Sequence, residues 1–467
     1  MRKLFVDCYE MDQRCYEEFG LTEDILMENA ALGMANYIKA NFERGSSIFI
    51  VSGPGNNGAD GITLARILNK AYRVFLYLPL GVKSKMAKLQ LNRAKRVGVE
   101  VVDEIKEATI TVDALFGAGL NRGLPNEIAM IVSRLNRLES FKIACDIPTG
   151  IDSRGRVGSI AFRADTTITM GALKEALYLD EAKDYVGEII CADLGVDREI
   201  YELNSNSYLL EESDFTPPFR KKRASHKGSF GHCAIFCGEK EGAGIISAMA
   251  ATRFGAGLTT LIVHEKVTPP PYIMHSTTVP KNTTAIAIGM GLGDFFEKDF
   301  LQKDVIESNV PIVLDADALS NELLLSILYQ KNREIVITPH PKEFSRMWKI
   351  LKDEELSVQE IQKERFEITR KFEDSFPTVT LLLKGANTII AKDKKRYVNP
   401  LGGANLSKGG SGDVLSGLIV SLLAQGYDSL SSAINGSLAL SIAGNRFDGN
   451  NYSLLSTDLI EELKYLK

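Results

Sequence analysis

Residues 47–70 read SIFIVSGPGNNGADGITLARILNK, where an apolar, β-branched run leads through a glycine-rich loop into a helical segment. Gly53, Gly55 and Gly58 satisfy the pattern G-x-G-x-x-G in the strand–loop–helix context that the pattern requires. Glycines let the backbone approach a ligand closely, and a helix N-terminus offers free N–H groups to an anion. The stretch therefore predicts an α/β fold with a ligand site at the end of this strand.

The same alternation of strand-like and helical stretches continues along the chain. Its predicted strands are short and apolar on both faces, as in a buried parallel sheet. In the first half they span residues 47–52, 73–78, 109–114 and 142–147, and helices are predicted over 61–70 and 86–97. The pattern is typical of layered α/β proteins.

A polar stretch at residues 203–226 separates two such alternating regions. It contains Pro217 and Pro218, followed by a basic run at 220–223, and the strand pattern restarts at 232–237. An exposed linker is the favoured interpretation of the basic run over a nucleic-acid patch. We therefore predict two α/β domains, residues 1–210 and 215–467.

Composition narrows the class of protein. The 467 residues are 45% hydrophobic and 25% charged, which suits a globular chain of two or three domains. A net charge of −5 argues against a nucleic-acid partner, and no apolar run is long enough to span a membrane. The six cysteines form no CxxC pair and the five histidines no zinc-binding pattern. We expect a cytoplasmic enzyme that acts on small molecules and forms a homo-oligomer.

The first glycine loop departs from a plain dinucleotide-binding loop. The next predicted strand ends in LYLPLG without the carboxylate that would hold a ribose, while the loop carries Asn56, Asn57 and Asp60. Amide and carboxylate oxygens suit a monovalent or hard cation, or a polar substrate ring. A purely structural Gly/Asn turn is the alternative. Two further strand-end loops, DALFGAGLNRG at 113–123 and DIPTGID at 146–152, favour one shared site.

These three motifs resemble the Rossmann-like, three-layer NAD(P)H-hydrate epimerase domain, and the resemblance covers most of residues 1–210. Ala59 stands where that family has a second glycine. The resemblance implies potassium coordination by Asn57, Asp113 and Thr149, and Asp146 is the candidate catalytic acid/base. It also implies substrate contacts at Asn56, Asn57, Gly58, Ala59, Asp60, Gly117, Ala118, Gly119, Leu120, Asn121, Arg122, Gly123 and Asp146.

The second half carries a glycine–aspartate loop, KGGSGD at 408–413, ahead of an apolar helical segment. Free N–H groups at a glycine-rich helix start form an anion hole suited to phosphates. Asp413 is placed to deprotonate a hydroxyl for attack on a phosphoryl group, although a simple helix cap is the alternative. Strand-end loops at 286–293, 313–318, 335–343 and 381–388 accompany it, and Lys384 is suited to reach a phosphate.

This half resembles the ribokinase-like, ADP-dependent NAD(P)H-hydrate dehydratases through HKGSFG, VLDADAL, TPHPKE, LLKGANT and NPLGGANLSKGGSGD. Lys342, Met290 and Ser411 depart from the residues usual in that family. The resemblance implies Mg²⁺ and ADP in this domain, with Asp413 as a catalytic residue. It implies substrate contacts at Ala243, Gly291, His340 and Asp413. It implies nucleotide contacts at Lys384, Gly385, Ala386, Asn387, Thr388 and Gly412.

The two resemblances together imply a bifunctional repair enzyme for hydrated NADH and NADPH. One domain would interconvert the R and S hydrates, and the other would dehydrate the S form at the expense of ADP. Hydroxide is a poor leaving group, so the expected route is phosphorylation of the ring hydroxyl followed by elimination. The alternative is a ribokinase-like kinase for a vitamin precursor, fused to a non-catalytic nucleotide-binding module.

Overall fold

The computed structural model describes residues 1–119, 123–265, 267–293 and 296–467. The chain divides into two compact units, one formed by Lys3–Ser205 and the other by Met1–Arg2 with Asn206–Lys467. Both are built of alternating strands and helices, which confirms the predicted α/β class.

None of the helices within the described residues has the length and apolar character needed to cross a membrane.

Most of the helices and strands of the first 205 residues belong to a single parallel sheet and the helices that cover it. In chain order they are β1 (Arg2–Leu4), α1 (Tyr9–Glu17), α2 (Glu23–Asn41), β2 (Ser47–Ser52), α3 (Asn56–Leu68), β3 (Arg73–Tyr77), α4 (Lys85–Arg96), β4 (Glu100–Val102), β5 (Ile110–Ala114), α5 (Asn126–Asn136), β6 (Phe141–Cys145), β7 (Thr166–Met170), α6 (Lys183–Val186), β8 (Glu188–Ala192) and α7 (Arg198–Tyr201).

This sheet has seven strands in the order β4-β3-β2-β5-β6-β7-β8, all parallel. The alternate residues of β2 face opposite layers: Ile48 and Ile50 pack in one core cluster with residues of α2, α3 and α4, and Phe49 and Val51 pack in another with residues of α5. The three-layer arrangement follows from strands that are apolar on both faces. The chain order reverses between β2 and β5, so a ligand cleft is expected beyond their carboxyl ends.

Helix α3 begins earlier than predicted. Its first residue is Asn56, with Gly55 as the N-cap, whereas the sequence predicted a helix from residue 61. The glycine loop is therefore only the short turn between Ser52 and Asn56. The polar residues Asn57 and Asp60 lie in the first turns of the helix, and their weak helix propensity concealed this from the sequence.

The second unit contains the remaining strands and helices. In chain order they are β9 (Ser207–Leu209), β10 (His232–Phe236), α8 (Glu241–Arg253), β11 (Leu258–Ile262), β12 (Met274–Ser276), β13 (Ala285–Ile288), α9 (Lys298–Leu301), β14 (Ile312–Leu314), α10 (Glu322–Leu325), β15 (Ile335–Ile337), α11 (Pro341–Lys352), α12 (Val358–Lys363), α13 (Arg365–Ser375), β16 (Val379–Leu383), β17 (Thr388–Lys392), β18 (Lys395–Asn399), α14 (Ser411–Ala424), α15 (Ser429–Arg446) and α16 (Ser456–Glu462).

These strands form an eleven-stranded mixed sheet in the order β1-β9-β18-β17-β16-β15-β14-β13-β10-β11-β12. Seven neighbouring strands of this sheet run parallel to one another: β16, β15, β14, β13, β10, β11 and β12. Strand β17 is antiparallel to both of its neighbours, β16 and β18. One core lies between the sheet and α8, α14 and α15, and another lies on the opposite face with α11 and α13. The loops after β13, β14, β15 and β16 consequently emerge at one edge of the sheet.

The predicted linker at 203–226 is partly wrong. Residues Ser207–Leu209 form strand β9, which pairs with β18, and Leu210 and Phe215 are buried in the core of the second unit. The apolar residues are too few and too widely spaced among polar ones to give a strand signal. Residues 219–228 are exposed, and the guanidinium of Arg220 stacks on the ring of Phe230 at 4.1 Å.

Candidate active sites

A cavity of about 590 Å³ lies in the first unit, where the chain order reverses between β2 and β5. Seven of the predicted contact residues line it: Asn56, Asn57, Asp60, Gly117, Ala118, Gly119 and Asp146. The structure adds five polar or thiol-bearing residues that the sequence did not single out: Asp7, Cys8, Tyr9, Asp12 and Lys174. The three predicted strand-end loops thus share one site.

Two glycines are required by the close approach of the loops around this cavity. A Cβ on Gly53 would lie 1.8 Å from the carbonyl oxygen of Leu115, and a Cβ on Gly58 would lie 1.9 Å from that of Gly53. A side chain on Gly53 would push the β2 and β5 loops apart, and one on Gly58 would push the first turn of α3 away from the end of β2. The glycines of the motif therefore set the shape of the cavity.

Asp146 follows β6 in the left-handed backbone region, with φ of +67°. Its Oδ1 accepts hydrogen bonds from the Lys174 ammonium (2.7 Å), the Thr169 hydroxyl (3.2 Å) and the Met170 N–H (3.2 Å). Its Oδ2 accepts only a long bond of 3.4 Å, from the Ala118 N–H, among the described residues. One oxygen is saturated by donors and the other remains available in the cavity.

The charge of Asp146 is stabilised despite its burial. Burial opposes ionisation, but the ammonium of Lys174 and the hydrogen bonds outweigh it, so the pKa of Asp146 lies below its usual value. Burial alone would lower the pKa of Lys174, whereas the carboxylate of Asp146 raises it above its usual value. The pair is ionised across the neutral range.

Asp60 and Asp12 have the opposite electrostatic character. Burial, reinforced by the negative charge of Asp146, raises the pKa of Asp60 well above its usual value. Burial also raises the pKa of Asp12, whose Oδ1 accepts a hydrogen bond of 2.7 Å from the Tyr201 hydroxyl. The cavity therefore combines a carboxyl group of lowered pKa with two carboxyl groups of raised pKa, an arrangement suited to acid–base chemistry.

The predicted potassium ligands surround the turn at residues 115–117. The Thr149 hydroxyl donates to Asp113 Oδ1 at 2.8 Å and accepts from the Phe116 N–H at 3.0 Å. Asn57 Oδ1 lies 3.0 Å from the position of a Cβ on Gly117, and Asn57 Nδ2 is buried without a hydrogen-bond partner among the described residues. Burial raises the pKa of Asp113 to about 6.

The other residues predicted in this domain have different surroundings. The side chain of Asn56 donates to Glu23 Oε1 at 2.6 Å. Gly58 and Ala59 are buried and do not line the cavity, and the Ala59 methyl packs in the core beside the sheet. Gly123 is exposed, and Leu120, Asn121 and Arg122 lie outside the described residues.

In the second unit, the predicted anion hole is the N-terminus of the 14-residue helix α14. Gly410 is its N-cap, with φ of +94°, and a Cβ there would lie 2.0 Å from the Ser456 hydroxyl. Glycine is thus required by conformation and by space. Ser411, Gly412 and Asp413 form the first helical turn. The Ser411 N–H donates to the Lys408 carbonyl at 3.4 Å, and the N–H groups of Gly412 and Asp413 point out of the helix start, where they can bind an anion.

Asp413 lies near a buried pair of opposite charges, Asp315 and Lys384. Burial, together with the negative charge of Asp315, raises the pKa of Asp413 to about 6, although Lys384 acts in the opposite direction. Lys384 Nζ contacts Asp315 Oδ1 at 2.7 Å, and a Cβ on Gly412 would lie 3.7 Å from Lys384 Nζ. The predicted base, anion hole and phosphate-binding lysine are therefore adjacent.

Asp315 is a site residue whose partners the sequence did not reveal. It follows β14, is 2% exposed, and accepts hydrogen bonds at Oδ1 from Lys384 and the Ala316 N–H and at Oδ2 from Ser416. It thereby connects three elements: β14, the end of β16 and helix α14. The sequence signal was an aspartate directly after an apolar strand.

His340 lies at the predicted strand end as the N-cap of α11. Its Nδ1 accepts from the N–H groups of Lys342 and Glu343, each at 3.2 Å, and Glu343 Oε2 accepts from the His340 N–H at 2.8 Å. Glu343 Oε2 also lies 3.6 Å from Lys384 Nζ, which connects this loop to the lysine predicted to bind a phosphate. Lys342 adopts ordinary helical geometry with an exposed side chain, so the departure from glycine causes no strain.

Ala243 and Gly291, which the sequence predicted as substrate contacts, lie close to each other in the structure. Gly291 has φ of +59°, and a Cβ on it would lie 3.2 Å from that of Ala243 and 2.7 Å from that of Lys240. A Cβ on Gly289 in the same loop would lie 1.7 Å from the Asp315 carbonyl oxygen. The loop after β13 therefore packs closely against both the start of α8 and the end of β14.

A buried arginine, Arg365, forms hydrogen bonds with the backbone of the predicted nucleotide loop at 384–388. The guanidinium of Arg365 donates to the carbonyl oxygens of Lys384 (3.2 Å), Leu383 (2.9 Å) and Asn387 (3.1 Å). Gly385 and Ala386 are exposed and Thr388 begins β17, while Asn387 is only 2% exposed. Arg365 is distant in sequence and lies in an ordinary amphipathic helix, so no local signal indicated it.

Two family models match the chain. A model described as YjeF-related protein N-terminus matches residues 23–176, and one described as NAD(P)H-hydrate dehydratase matches residues 233–465.

Curated relatives match along nearly the whole chain. A bifunctional NAD(P)H-hydrate repair enzyme of Helicobacter pylori is 40% identical, over 98% of this chain and 98% of its own length. One of Dictyoglomus turgidum is 33% identical, over 97% of this chain and 95% of its own. Among solved structures, the Bacillus subtilis ADP/ATP-dependent NAD(P)H-hydrate dehydratase co-crystallised with ATP and Mg²⁺ is 25% identical, with a TM-score of 0.48. It covers 56% of this chain and 98% of that one.

Proposed function

This chain belongs to the bifunctional NAD(P)H-hydrate repair enzymes, and we propose that its epimerase site is the cavity at Asp146 and its dehydratase site the loop cluster at Asp413. Epimerase and dehydratase activities are thus assigned to residues 1–210 and 215–467. The observation that carries the proposal is the environment of the two carboxylates. Asp146 follows β6 and is paired with the Lys174 ammonium at 2.7 Å, while Asp413 lies in the first turn of α14 near the Asp315–Lys384 pair, where burial raises its pKa.

The substrates are the hydrates of NADH and NADPH. Each carries a hydroxyl on the carbon next to the ring nitrogen and exists as R and S epimers. The first domain interconverts the two epimers. The second removes the hydroxyl from the S form, with ADP as the phosphoryl donor.

Dehydration begins with activation of the ring hydroxyl. Asp413 accepts the hydroxyl proton while the oxygen attacks the terminal phosphorus of ADP, releasing AMP. The N–H groups of the first turn of α14 stabilise the charge on the transferring phosphoryl group, and Lys384 contacts the same phosphates. The bond from ring carbon to oxygen then breaks: phosphate departs with its electrons, and the ring nitrogen supplies an electron pair to give an iminium. Loss of a proton from the neighbouring ring carbon then forms the carbon–carbon double bond of the reduced nicotinamide and restores the nitrogen electron pair.

The carboxylates in this second site fit a hard cation. Asp315 and Asp413 lie beside the anion hole, and Mg²⁺ in nucleotide sites uses one or two carboxylates together with phosphate oxygens and waters. When bound, Mg²⁺ would neutralise charge on the nucleotide phosphates. If Lys384 moved from Asp315 to a nucleotide phosphate, Asp315 Oδ1 would lose its ammonium partner and could bind the cation.

Epimerisation requires two proton transfers. A proton is delivered to the hydroxyl as it departs from the ring, and a proton is removed from the water that adds back to the other face. Asp146 Oδ2 is the candidate group, because Oδ1 is occupied by three donors. Asp60 in the same cavity has a pKa raised by burial and by the charge of Asp146, and this contrast with Asp146 supports a division of acid and base roles.

The donor set of Asn57, Asp113 and Thr149 fits potassium. The three residues supply amide, carboxylate and hydroxyl oxygens around one turn, the oxygen types that suit a hard or monovalent cation. A bound potassium ion would add positive charge beside the substrate. It would also stabilise the ionised form of Asp113.

The dehydratase rate should fall on the acid side of about pH 6, because Asp413 acts as a base and its pKa is raised to about 6. We expect kcat/KM for the S hydrate to fall roughly tenfold for each pH unit below this value and to be level above it. Epimerisation should retain its rate to lower pH, since the pKa of Asp146 is below its usual value. Initial rates of both reactions across one buffer series measure this. Coincident acid limbs for the two reactions would contradict the assignment.

A further inference from the structure

Lys174 is a buried lysine in the first unit whose ammonium is surrounded by oxygen atoms. It is 3% exposed, and Nζ donates to Asp146 Oδ1 at 2.7 Å, to the Thr169 hydroxyl at 2.9 Å and to the Met170 carbonyl at 3.0 Å. A lysine is almost never fully buried unless it is paired. Because taking an ammonium out of water costs several kcal/mol, such a residue is seldom a simple core filler.

The backbone around Lys174 fixes the position of its ammonium. Strand β7 ends in a tight turn at Gly171, where φ is +73° and a Cβ would lie 2.5 Å from the Tyr201 hydroxyl. Lys174 then caps a short 3₁₀ turn at Glu175–Tyr178 and forms a bridge with Phe5. The Lys174 side chain thus extends into the cavity from a segment whose turn is fixed by Gly171, and its ammonium reaches Asp146 at the end of β6.

The groups that face this pair come from four other elements. They are Cys8 and Asp12 at the start of the chain, Asp60 on α3, Cys145 on β6 and Cys191 on β8. Each of these is neutral or negative, and the positive charge of Lys174 acts on all of them. Among the described residues that line the cavity, Lys174 is therefore the cation that offsets its acidic character.

We propose that Lys174 is a positioning residue for epimerisation: it holds Asp146 Oδ1 so that Oδ2 faces the substrate, and it keeps the carboxylate in its charged form. The inference rests on the proposed role of Asp146 and deepens it. The geometry supports it because Lys174, Thr169 and the Met170 N–H saturate Oδ1, whereas Oδ2 has only the long contact with Ala118. Loss of the ammonium would free the carboxylate to rotate and to take up a proton.

The test is the pH profile of R-to-S conversion at constant potassium concentration. In Lys174→Met, we expect the acid limb to move up by at least about one pH unit and the rate near neutrality to fall about tenfold or more. Lys174→Arg should keep the wild-type acid limb, because a guanidinium retains the charge. Lys39→Met, which removes an exposed lysine on α2, is the matched control and should leave the profile unchanged.

The thermal melting transition of the first unit reports whether each variant is folded around Lys174, and dehydration of the S hydrate by the same chain reports the second unit. If the first unit of Lys174→Met is unfolded at the assay temperature, Lys174→Gln replaces it in the comparison. The inference is overturned if the charge-removing variant dehydrates normally and its epimerisation profile coincides with that of the wild type.

Asp146→Asn, measured beside these variants, separates this inference from the function on which it rests. If Asp146→Asn is inactive while the Lys174 variants keep the wild-type profile, the role of Lys174 fails and that of Asp146 stands. If Asp146→Asn epimerises at the wild-type rate, both fail.

Discussion

The Asp413→Asn variant is expected to lose dehydration of the S hydrate by a factor of about 10² to 10⁴, the usual contribution of a general base. The amide keeps the size of the side chain but does not accept the hydroxyl proton. Asp413 is in the first turn of α14 and the Ser247 hydroxyl donates to its backbone carbonyl at 2.8 Å, so the helix start should be preserved. Conversion of the R to the S hydrate should continue at the wild-type rate.

The measurement is ADP-dependent recovery of reduced-nicotinamide absorbance from the S hydrate, with Asp448→Asn as an exposed control on the same unit. A loss in Asp413→Asn alone supports the base. Recovery at more than a tenth of the wild-type rate would show that Asp413 is not the base. Loss of both activities would argue against two separable sites.

The Asp146→Asn variant is expected to lose R-to-S conversion by a similar factor of about 10² to 10⁴, while dehydration of the S hydrate continues. Asparagine tolerates the left-handed backbone that Asp146 adopts, so the turn after β6 should persist. The substitution leaves the Lys174 ammonium buried without its carboxylate, and we therefore expect a stability loss of about 3–5 kcal/mol.

Epimer composition is followed over time at a temperature below the melting transition of the first unit, which distinguishes catalytic loss from unfolding of that unit. The dehydratase rate of the same sample reports the folded fraction of the second unit. A lower melting temperature of the first unit should accompany the catalytic loss. Asp103→Asn, on an exposed residue of the first unit, should change neither quantity. An unchanged R-to-S rate in Asp146→Asn would contradict the assignment.

The local signals in the sequence were sufficient for the fold class and for much of both sites. Glycine and aspartate directly after apolar strands mark the carboxyl ends of a parallel sheet, and those ends converge in space. For that reason Asn57, Gly117 and Asp146 meet at one cavity in the first unit, and Asp315 and Lys384 meet in the second unit, beside Gly412 at the start of α14. The start of α3 was placed five residues late, because Asn and Asp near a glycine favour a loop interpretation.

The residues that the sequence did not reveal act through tertiary contacts. Lys174 lies beyond a strand end in a segment of unremarkable composition, and its partner Asp146 is 28 residues away. Arg365 supports the nucleotide loop from within a helix whose pattern predicts only an amphipathic surface element. Nothing in their neighbouring residues distinguishes such side chains from solvated charges, because only the folded chain removes them from water.

The most direct test of the account starts from the pure R hydrate and the intact chain. With ADP and Mg²⁺ present, we predict full recovery of reduced-nicotinamide absorbance, with release of AMP and phosphate in equal amounts. Without ADP, the same sample should yield a mixture of R and S hydrates and no recovery. Recovery that does not depend on ADP, or a stable phosphorylated product in place of NADH, would contradict the account.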